Sequence, residues 1–138
     1  MLERTAKPMA EMHLFSGIEH ITIAAKDPKA LAKWYCDRFG FEVAYQSTRS
    51  LTTFVRLGGS LMEITEAGNA ESFSQGERNA GLRHIAISVT DIPKAYDLLK
   101  SSGVKFRSEP QEKDDVWTAF FEDPEHNLLH LIQRSKRL

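Results

Sequence analysis

A repeated segment constrains the fold of this chain more than any other feature of its sequence. Residues 17–27 read GIEHITIAAKD and residues 81–91 read GLRHIAISVTD, so Gly, His, two Ile and Asp recur at a separation of 64 residues. Such self-similarity indicates that one supersecondary unit occurs twice. Because the chain has 138 residues in all, the two units are expected to share one domain and one modest hydrophobic core.

A helix is predicted directly after each copy of the repeat. Asp27 is followed by PKALAKWYCDRFG and Asp91 by IPKAYDLLKSSG. Aspartate is a preferred N-cap, proline fits the first turn of a helix, and glycine commonly follows the last turn. Apolar residues recur at helical spacing in both segments, so each helix should pack one face against a sheet. These residues are Leu31, Trp34, Tyr35 and Phe39 in the first segment and Ile92, Ala95, Tyr96 and Leu99 in the second.

Strand-like runs follow each helix and complete the predicted fold. They cover residues 41–47, 51–57 and 61–66 in the first half and residues 104–109, 116–122 and 128–133 in the second. With tight turns between them, they predict an α+β fold in which two βαβββ modules form a cup-shaped eight-stranded mixed sheet with the helices on its outer face. The expected boundaries are a flexible leader (1–16), module 1 (17–66), a linker (67–80), module 2 (81–134) and a tail (135–138).

Composition narrows the class of function. The chain has 18 basic and 19 acidic side chains, a balance that counts against nucleic-acid binding. No apolar run is long enough to cross a membrane, and residues 1–16 lack the apolar core of a secretory signal. The single cysteine, Cys36, excludes an internal disulfide framework and a cysteine-rich zinc site. We therefore expect a soluble cytoplasmic protein that binds neither nucleic acid nor a membrane.

Alternation along the strands places four potential metal ligands on one face. Side chains of a strand point to opposite faces in turn, so His20 opposes Ile21. The same rule sets three more residues opposite the aliphatic side of their strands: Glu63, His84 and His130. By the repeat, His20 corresponds to His84 and Glu63 to His130. Because a carboxylate and several imidazoles in a partly dry cup are costly unless a cation neutralises them, we predict a metal site.

Each of these residues also has a simpler interpretation. A single histidine on a strand is often a hydrogen-bonded or rim residue, and Glu63 would serve equally as an exposed carboxylate at a sheet edge. Of the remaining histidines, His126 lies in a predicted turn and His13 in the predicted leader, so neither is included in the set.

Three further residues are candidates for contact with a substrate. A two-residue hairpin at Gly58-Gly59 would set Phe54 and Arg56 on the same face as Glu63. Arg56 would then hold an anionic group of the substrate, although a solvated arginine at a strand end explains it as well. The third candidate is Phe120. Two aromatic residues near it in sequence, Trp117 and Phe121, would either line the pocket or pack in the core.

Four motifs resemble the vicinal-oxygen-chelate superfamily, which includes glyoxalase I, methylmalonyl-CoA epimerase, extradiol dioxygenases, and fosfomycin and bleomycin resistance proteins. The motifs are GIEHITIAAKD, WYCDRFGFEV, LRHIAISVTDI and FFEDPEHNLLHLIQ, and the resemblance covers residues 17–134. It implies a small-molecule substrate and one divalent metal ion per cup, bound by His20, Glu63, His84 and His130. Because imidazole dominates this set, Zn, Ni, Fe, Mn or Co is expected. The resemblance also implies a homodimer, with each cup formed within one chain or from modules of two chains.

One position departs from the pattern of the superfamily. The last strand usually carries Glu in a sequence such as DP-x-G-N-x-x-E, whereas this chain reads DPEHNLLHL and has His130 there. Three imidazoles and one carboxylate leave a charge of about +1 around a divalent ion. Such a centre is a stronger Lewis acid.

The resulting hypothesis is a metal-dependent lyase or isomerase of the glyoxalase I type. Its substrate would chelate the metal through two adjacent oxygens, and Glu63 would be the catalytic base. Two alternatives stay open, an extradiol-type dioxygenase and a metal-free small-molecule-binding protein of the resistance type. No feature of the sequence singles out thiol transfer of the fosfomycin type.

Overall fold

The computed structural model describes residues 14–68, 78 and 80–138. Over these residues the chain runs β-α-β-β-β twice, as the repeat predicts. The first module comprises β1 (Ile21–Ala25), α1 (Pro28–Phe39), β2 (Glu42–Gln46), β3 (Thr53–Leu57) and β4 (Ser60–Glu66). The second comprises β5 (Ile85–Ser88), α2 (Ile92–Ser101), β6 (Gln111–Lys113), β7 (Val116–Glu122) and β8 (Leu128–Arg134). Most of the predicted leader and linker lies outside the described residues.

The eight strands form two mixed sheets of four. Their orders are β1-β4-β3-β2 and β5-β8-β7-β6. In each sheet the first strand of the module pairs in parallel with the last, and the other neighbours are antiparallel. Strands β1 and β5 are therefore edge strands, and no ladder joins them within the described part of the chain.

The strand predicted over residues 104–109 is wrong, because the sixth strand covers only Gln111–Lys113. Phe106 instead forms an isolated bridge to Phe121, and its ring packs against Tyr96 with the ring centroids 4.6 Å apart. Pro110 follows this segment; it lacks an N–H and restricts the residue before it. Because Phe106 packs against the core and Pro110 lacks an N–H, the regular β6–β7 ladder begins only at Gln111.

Both helices begin and end where the capping pattern predicts. The side chain of Asp27 accepts a hydrogen bond from the Ala30 N–H at 3.1 Å, and Asp91 caps α2 in the same way. Helix α1 ends at Gly40, whose φ of 77° is left-handed and therefore suits glycine.

The aliphatic faces of both sheets and the apolar faces of both helices meet in one core. The side chains that are fully buried there include Leu31 and Tyr35 of α1, Ile64 of β4, and Leu129 and Leu131 of β8. Along β3 and β4 this burial alternates as predicted, whereas on β8 the opposite face is buried as well, at Leu128 and His130. None of the described helices is long and apolar enough to cross a membrane.

A polar junction joins helix α1 of the first module to the β7–β8 turn of the second. Tyr35 donates to Oδ2 of Asp123 at 2.7 Å. Oδ1 of Asp123 accepts from the backbone N–H groups of Glu125 and Asn127 at 2.9 and 3.0 Å. Burial, followed by the charge of Asp123, raises the pKa of Tyr35 well above its ordinary value of 10.0. The phenol therefore stays protonated and acts as the donor.

The same turn also caps the start of α1. The carboxylate of Glu125 accepts hydrogen bonds from the backbone N–H groups of Lys26 and Asp27 at 2.9 and 3.0 Å. A carboxylate at a helix N-terminus is stabilised by the unpaired N–H groups and the helix dipole. The two modules are therefore held in a defined orientation by hydrogen bonds as well as by apolar packing.

Candidate metal site

The β3–β4 hairpin sets several predicted site residues side by side. Leu57 pairs with Ser60 across the expected two-residue turn, and Phe54 consequently lies directly opposite Glu63. On the other side of β4, Thr22 of β1 pairs with Glu63. Arg56 pairs with Leu61 two residues closer to the turn and is exposed.

The first pair of predicted ligands is His20 with Glu63. Nε2 of His20 lies 3.8 Å from Oε1 of Glu63, and 34% of the His20 side chain and 25% of the Glu63 side chain are exposed. Thr22 donates from Oγ1 to the same Glu63 oxygen at 2.8 Å. The other ring nitrogen of His20, Nδ1, lies 2.5 Å from Oε1 of Glu19. Phe54 contacts the histidine ring edge-on at a centroid distance of 5.4 Å.

The second ligand pair is His84 with His130. Their ring centroids are 4.4 Å apart. Phe120, which pairs with His130 across β7 and β8, packs at 4.6 Å from His130 and 5.7 Å from His84. His130 is only 7% exposed. The second pair is therefore aromatic, with His130 buried and His84 exposed, whereas the first pair is partly exposed and includes a carboxylate.

The structure brings the four predicted ligands together as two pairs and does not bring the pairs to one point. Among the described residues, no group of three or more His, Cys, Asp and Glu side chains is placed to hold a metal ion. Protein metal sites of this kind use at least three side-chain ligands. The separation follows from the topology, since His20 and Glu63 belong to the first module and His84 and His130 to the second.

The chemistry of each pair nevertheless suits a divalent transition metal. Imidazole nitrogen and carboxylate oxygen are common ligands of Zn and of the neighbouring metals. The 3.8 Å between Nε2 of His20 and Oε1 of Glu63 is shorter than two metal–ligand bonds of about 2.0–2.2 Å laid end to end. Nε2 of His20 and Oε1 of Glu63 can thus reach one ion.

The other aromatic and histidine residues considered in the sequence lie elsewhere. Phe121 is fully buried in the core, on the face opposite Phe120. Trp117 shares the parity of Phe121 and is partly exposed, so neither lies on the face of the ligand pairs. His126 is exposed in the β7–β8 turn, where its φ is 69°.

Two residues beside the first pair were not assigned roles from the sequence. Thr22 donates to Glu63, and Glu19 contacts the far side of the His20 ring. The sequence hint to a role for Glu19 is that it directly precedes His20, whereas Arg83 directly precedes His84 in the second copy of the repeat. Adjacent residues of an extended segment usually point apart, so strand alternation alone does not predict this contact.

Comparison with known proteins decides the family. The model of the Glyoxalase/Bleomycin resistance protein/Dioxygenase superfamily matches residues 17–131. This chain belongs to that superfamily. A probable lactoylglutathione lyase of Synechocystis is 29% identical over 128 residues, covering 86% of this chain and 95% of that protein. The uncharacterized protein YurT of Bacillus subtilis is 34% identical over 74 residues, which is 54% of this chain and only 58% of YurT.

Solved structures of superfamily members share the fold. A glyoxalase family protein from Enterococcus faecalis superposes with a TM-score of 0.73 at 26% identity, over 86% of this chain and 98% of that one. The fosfomycin resistance protein FosX from Listeria monocytogenes, in complex with Mn(II) and sulfate, superposes with a TM-score of 0.68 at 21% identity, over 88% of this chain and 93% of that one. A protein of the same fold has thus been crystallised with a divalent metal ion.

Proposed function

We propose that this protein is a metal-dependent lyase or isomerase of the glyoxalase I type. Its substrate would be a small molecule that chelates a divalent metal through two adjacent oxygens. One observation carries the proposal: the ligand types His20 with Glu63, and His84 with His130, lie as close pairs in matching places of the two modules. The similarity to a probable lactoylglutathione lyase over most of both chains supports the same reaction class.

A complete site would need a second copy of the chain. The first pair of one copy would meet the second pair of the other, so a homodimer would contain two cups. Two features support this arrangement: the two pairs do not meet among the described residues of one chain, and β1 and β5 are edge strands. Edge strands have unpaired N–H and C=O groups that are usually covered by another element. His20 and His84 directly precede these two strands.

Each cup would hold one divalent ion, of Zn, Ni, Fe, Mn or Co. Such an ion would polarise a substrate carbonyl and stabilise the negative charge that develops on the chelating oxygens. FosX, a fosfomycin resistance protein with the same fold, was crystallised with Mn(II). For this chain the choice among these metals follows only from the imidazole-rich ligand set.

Residues of the chain would supply the general base and the contacts with the substrate. Glu63 is the carboxylate of the ligand set and would move the substrate proton as general base. Thr22 holds the Oε1 atom of Glu63 and so fixes the orientation of that base. Phe54 and Phe120 would pack against the two sides of the substrate, and the exposed Arg56 would bind an anionic group on it.

Metal analysis tests the site directly. Protein purified without added metal should contain a divalent ion by plasma mass spectrometry, and His20→Ala and His84→Ala should each lose it. His126→Ala is the matched control, because His126 lies in an exposed turn away from both pairs. Metal content that is unchanged in His20→Ala and His84→Ala would contradict the proposal.

Mixing the same two variants tests whether each site spans two copies. In a mixed dimer of His20→Ala and His84→Ala chains, one cup would have lost both histidines and the other would retain all four ligands. Mixing should therefore restore about half of the metal sites per mixed dimer, whereas sites built within single chains would gain nothing. Analytical ultracentrifugation of each variant alone checks that both still form dimers.

A dioxygenase is the less favoured reaction. An iron site of that type uses two histidines and one carboxylate, and extradiol members carry the carboxylate on the last strand, where this chain has His130. Oxygen uptake with catechols, measured beside turnover of a glutathione–methylglyoxal hemithioacetal, separates the two reactions. Oxygen consumption without isomerisation would reverse the assignment.

A further inference from the structure

The contact of Glu19 with His20 is not matched by the corresponding residue of the repeat in the second module. Oε1 of Glu19 lies 2.5 Å from Nδ1 of His20, while Nε2 on the opposite side of the ring faces Glu63 at 3.8 Å. At the matching position of the repeat stands Arg83, whose Nε donates to the carbonyl of Gly81 at 3.3 Å. The repeat therefore has both histidines, with a carboxylate directly before His20 and a guanidinium directly before His84.

We infer that Glu19 is a positioning residue, which fixes the tautomer of His20 so that the Nε2 lone pair points toward Glu63 and the metal. A carboxylate only accepts hydrogen bonds, so the neutral ring must carry its proton on Nδ1 when it contacts Glu19. Nε2 is then the atom with the lone pair, and a metal ligand must present a lone pair. This inference rests on the proposed metal site and deepens it.

Glu19 also compensates for the unusual charge of the ligand set. With His130 in the position where the superfamily usually has Glu, only one of the four ligands is anionic. Glu19 adds a second carboxylate on the far side of a ligand, where it occupies no coordination position. A carboxylate behind a ligating imidazole raises the basicity of the ring and so strengthens its bond to the metal. The first pair therefore has one acidic residue within it, Glu63, and one beside it, Glu19. The second pair consists of two histidines.

The tautomer of His20 can be measured without any metal. Protein labelled with ¹⁵N at histidine, held metal-free at a pH where the rings are neutral, gives long-range ¹H–¹⁵N correlations that distinguish Nδ1–H from Nε2–H rings. In the wild type, His20 should be predominantly the Nδ1–H form, and Glu19→Ala should shift it toward the Nε2–H form that free imidazole side chains prefer. The spectrum of His20→Ala identifies the His20 signals.

Metal affinity provides the second measurement. Competition between the protein and a fluorescent chelator for Zn²⁺ should show that Glu19→Ala binds about 10-fold or more weakly. Glu19→Gln retains an acceptor oxygen and loses the charge, so it should retain the tautomer and show an intermediate affinity. Glu66→Gln is the control, because it removes the same charge from the exposed end of β4.

The possible outcomes separate this inference from the proposed function. If Glu19→Ala leaves both the tautomer and the Zn²⁺ affinity unchanged while His20→Ala abolishes binding, the site stands and the role of Glu19 is refuted. A tautomer shift with unchanged affinity also refutes that role. If the wild type binds no metal, the proposed function fails and this inference fails with it. A shifted tautomer together with weakened binding supports the inference.

Discussion

The two ligand pairs occupy matching places in a duplicated fold, yet their surroundings differ. His20 and Glu63 are partly exposed and make polar contacts with Thr22 and Glu19. His130 is nearly buried and packs with His84 against Phe120. The two modules thus place the predicted ligands at matching positions but in different surroundings. The first pair combines an imidazole with a carboxylate and is partly exposed, whereas the second pair consists of two imidazoles, of which His130 is nearly buried.

The largest expected effect tests whether the two pairs differ in their chemical roles. Glu63→Gln should lower turnover per bound metal by about 10²–10⁴-fold, since it removes the general base. His130→Gln, at the corresponding place in the second module, should mainly lower metal affinity, because His130 provides a donor and no base. Turnover of the hemithioacetal, divided by metal content, checks both variants. Full turnover of Glu63→Gln would remove the base role.

The second prediction concerns stability. His130→Ala should destabilise the metal-free protein by about 2 kcal/mol, because it opens a cavity beside Phe120. His20→Ala should change stability by less than about 0.5 kcal/mol, since its ring is partly solvated. Urea unfolding of both metal-free variants measures the difference. Equal losses would show that burial does not distinguish the two pairs.

The third prediction concerns the junction that holds the two regions in their relative orientation. Tyr35→Phe should cost about 1–2 kcal/mol near neutral pH, because Asp123 loses a buried donor. The folded-state pKa of Tyr35 is raised above 10.0 by burial and by Asp123. The unfolded phenol therefore ionises first as the pH rises.

The advantage of the wild type over Tyr35→Phe is accordingly complete below the unfolded pKa and is lost as the pH rises through the folded one. Denaturant titrations of both proteins from neutral pH to the alkaline range measure this. A constant difference at all pH values would contradict the contribution of the buried phenol.

The smallest expected effect lies within the first pair. Thr22→Val removes the hydrogen bond to Glu63 and should lower turnover by about threefold to tenfold, equivalent to one ordinary hydrogen bond. Thr65→Val is the control: Thr65 lies on the same face of β4, and its hydroxyl contacts Thr52 instead. A comparable loss in both variants would indicate a general effect on the sheet.

Much of the fold was predictable because its signals are local. Capping by Asp27 and Asp91 marks the helices, and the two-residue turn at Gly58-Gly59 sets the register of Phe54 against Glu63. Strand alternation also predicted the face on which each ligand lies. A period of two is read from a few neighbouring residues and needs no knowledge of the partner strand.

The division of the eight strands into two sheets was not predictable in the same way. Whether β1 pairs with β5 depends on contacts between segments that are distant in sequence. The sequence of neither strand indicates that it lies at the edge of a sheet. The short strand β6 was misplaced because residues 104–109 are apolar enough to resemble a strand, whereas Phe106 turns into the core. The contact of Glu19 with His20 depends on two side-chain rotamers, which no periodicity encodes.

The cap on helix α1 has a consequence for the order of folding. The N–H groups of Lys26 and Asp27 are satisfied by Glu125, which is 99 and 98 residues away in sequence. During synthesis these donors, and the phenol of Tyr35, must wait until the C-terminal hairpin has left the ribosome. Contacts of such long range close late and slow folding. A nascent first module would therefore stay incompletely docked until the β7–β8 turn has been synthesised.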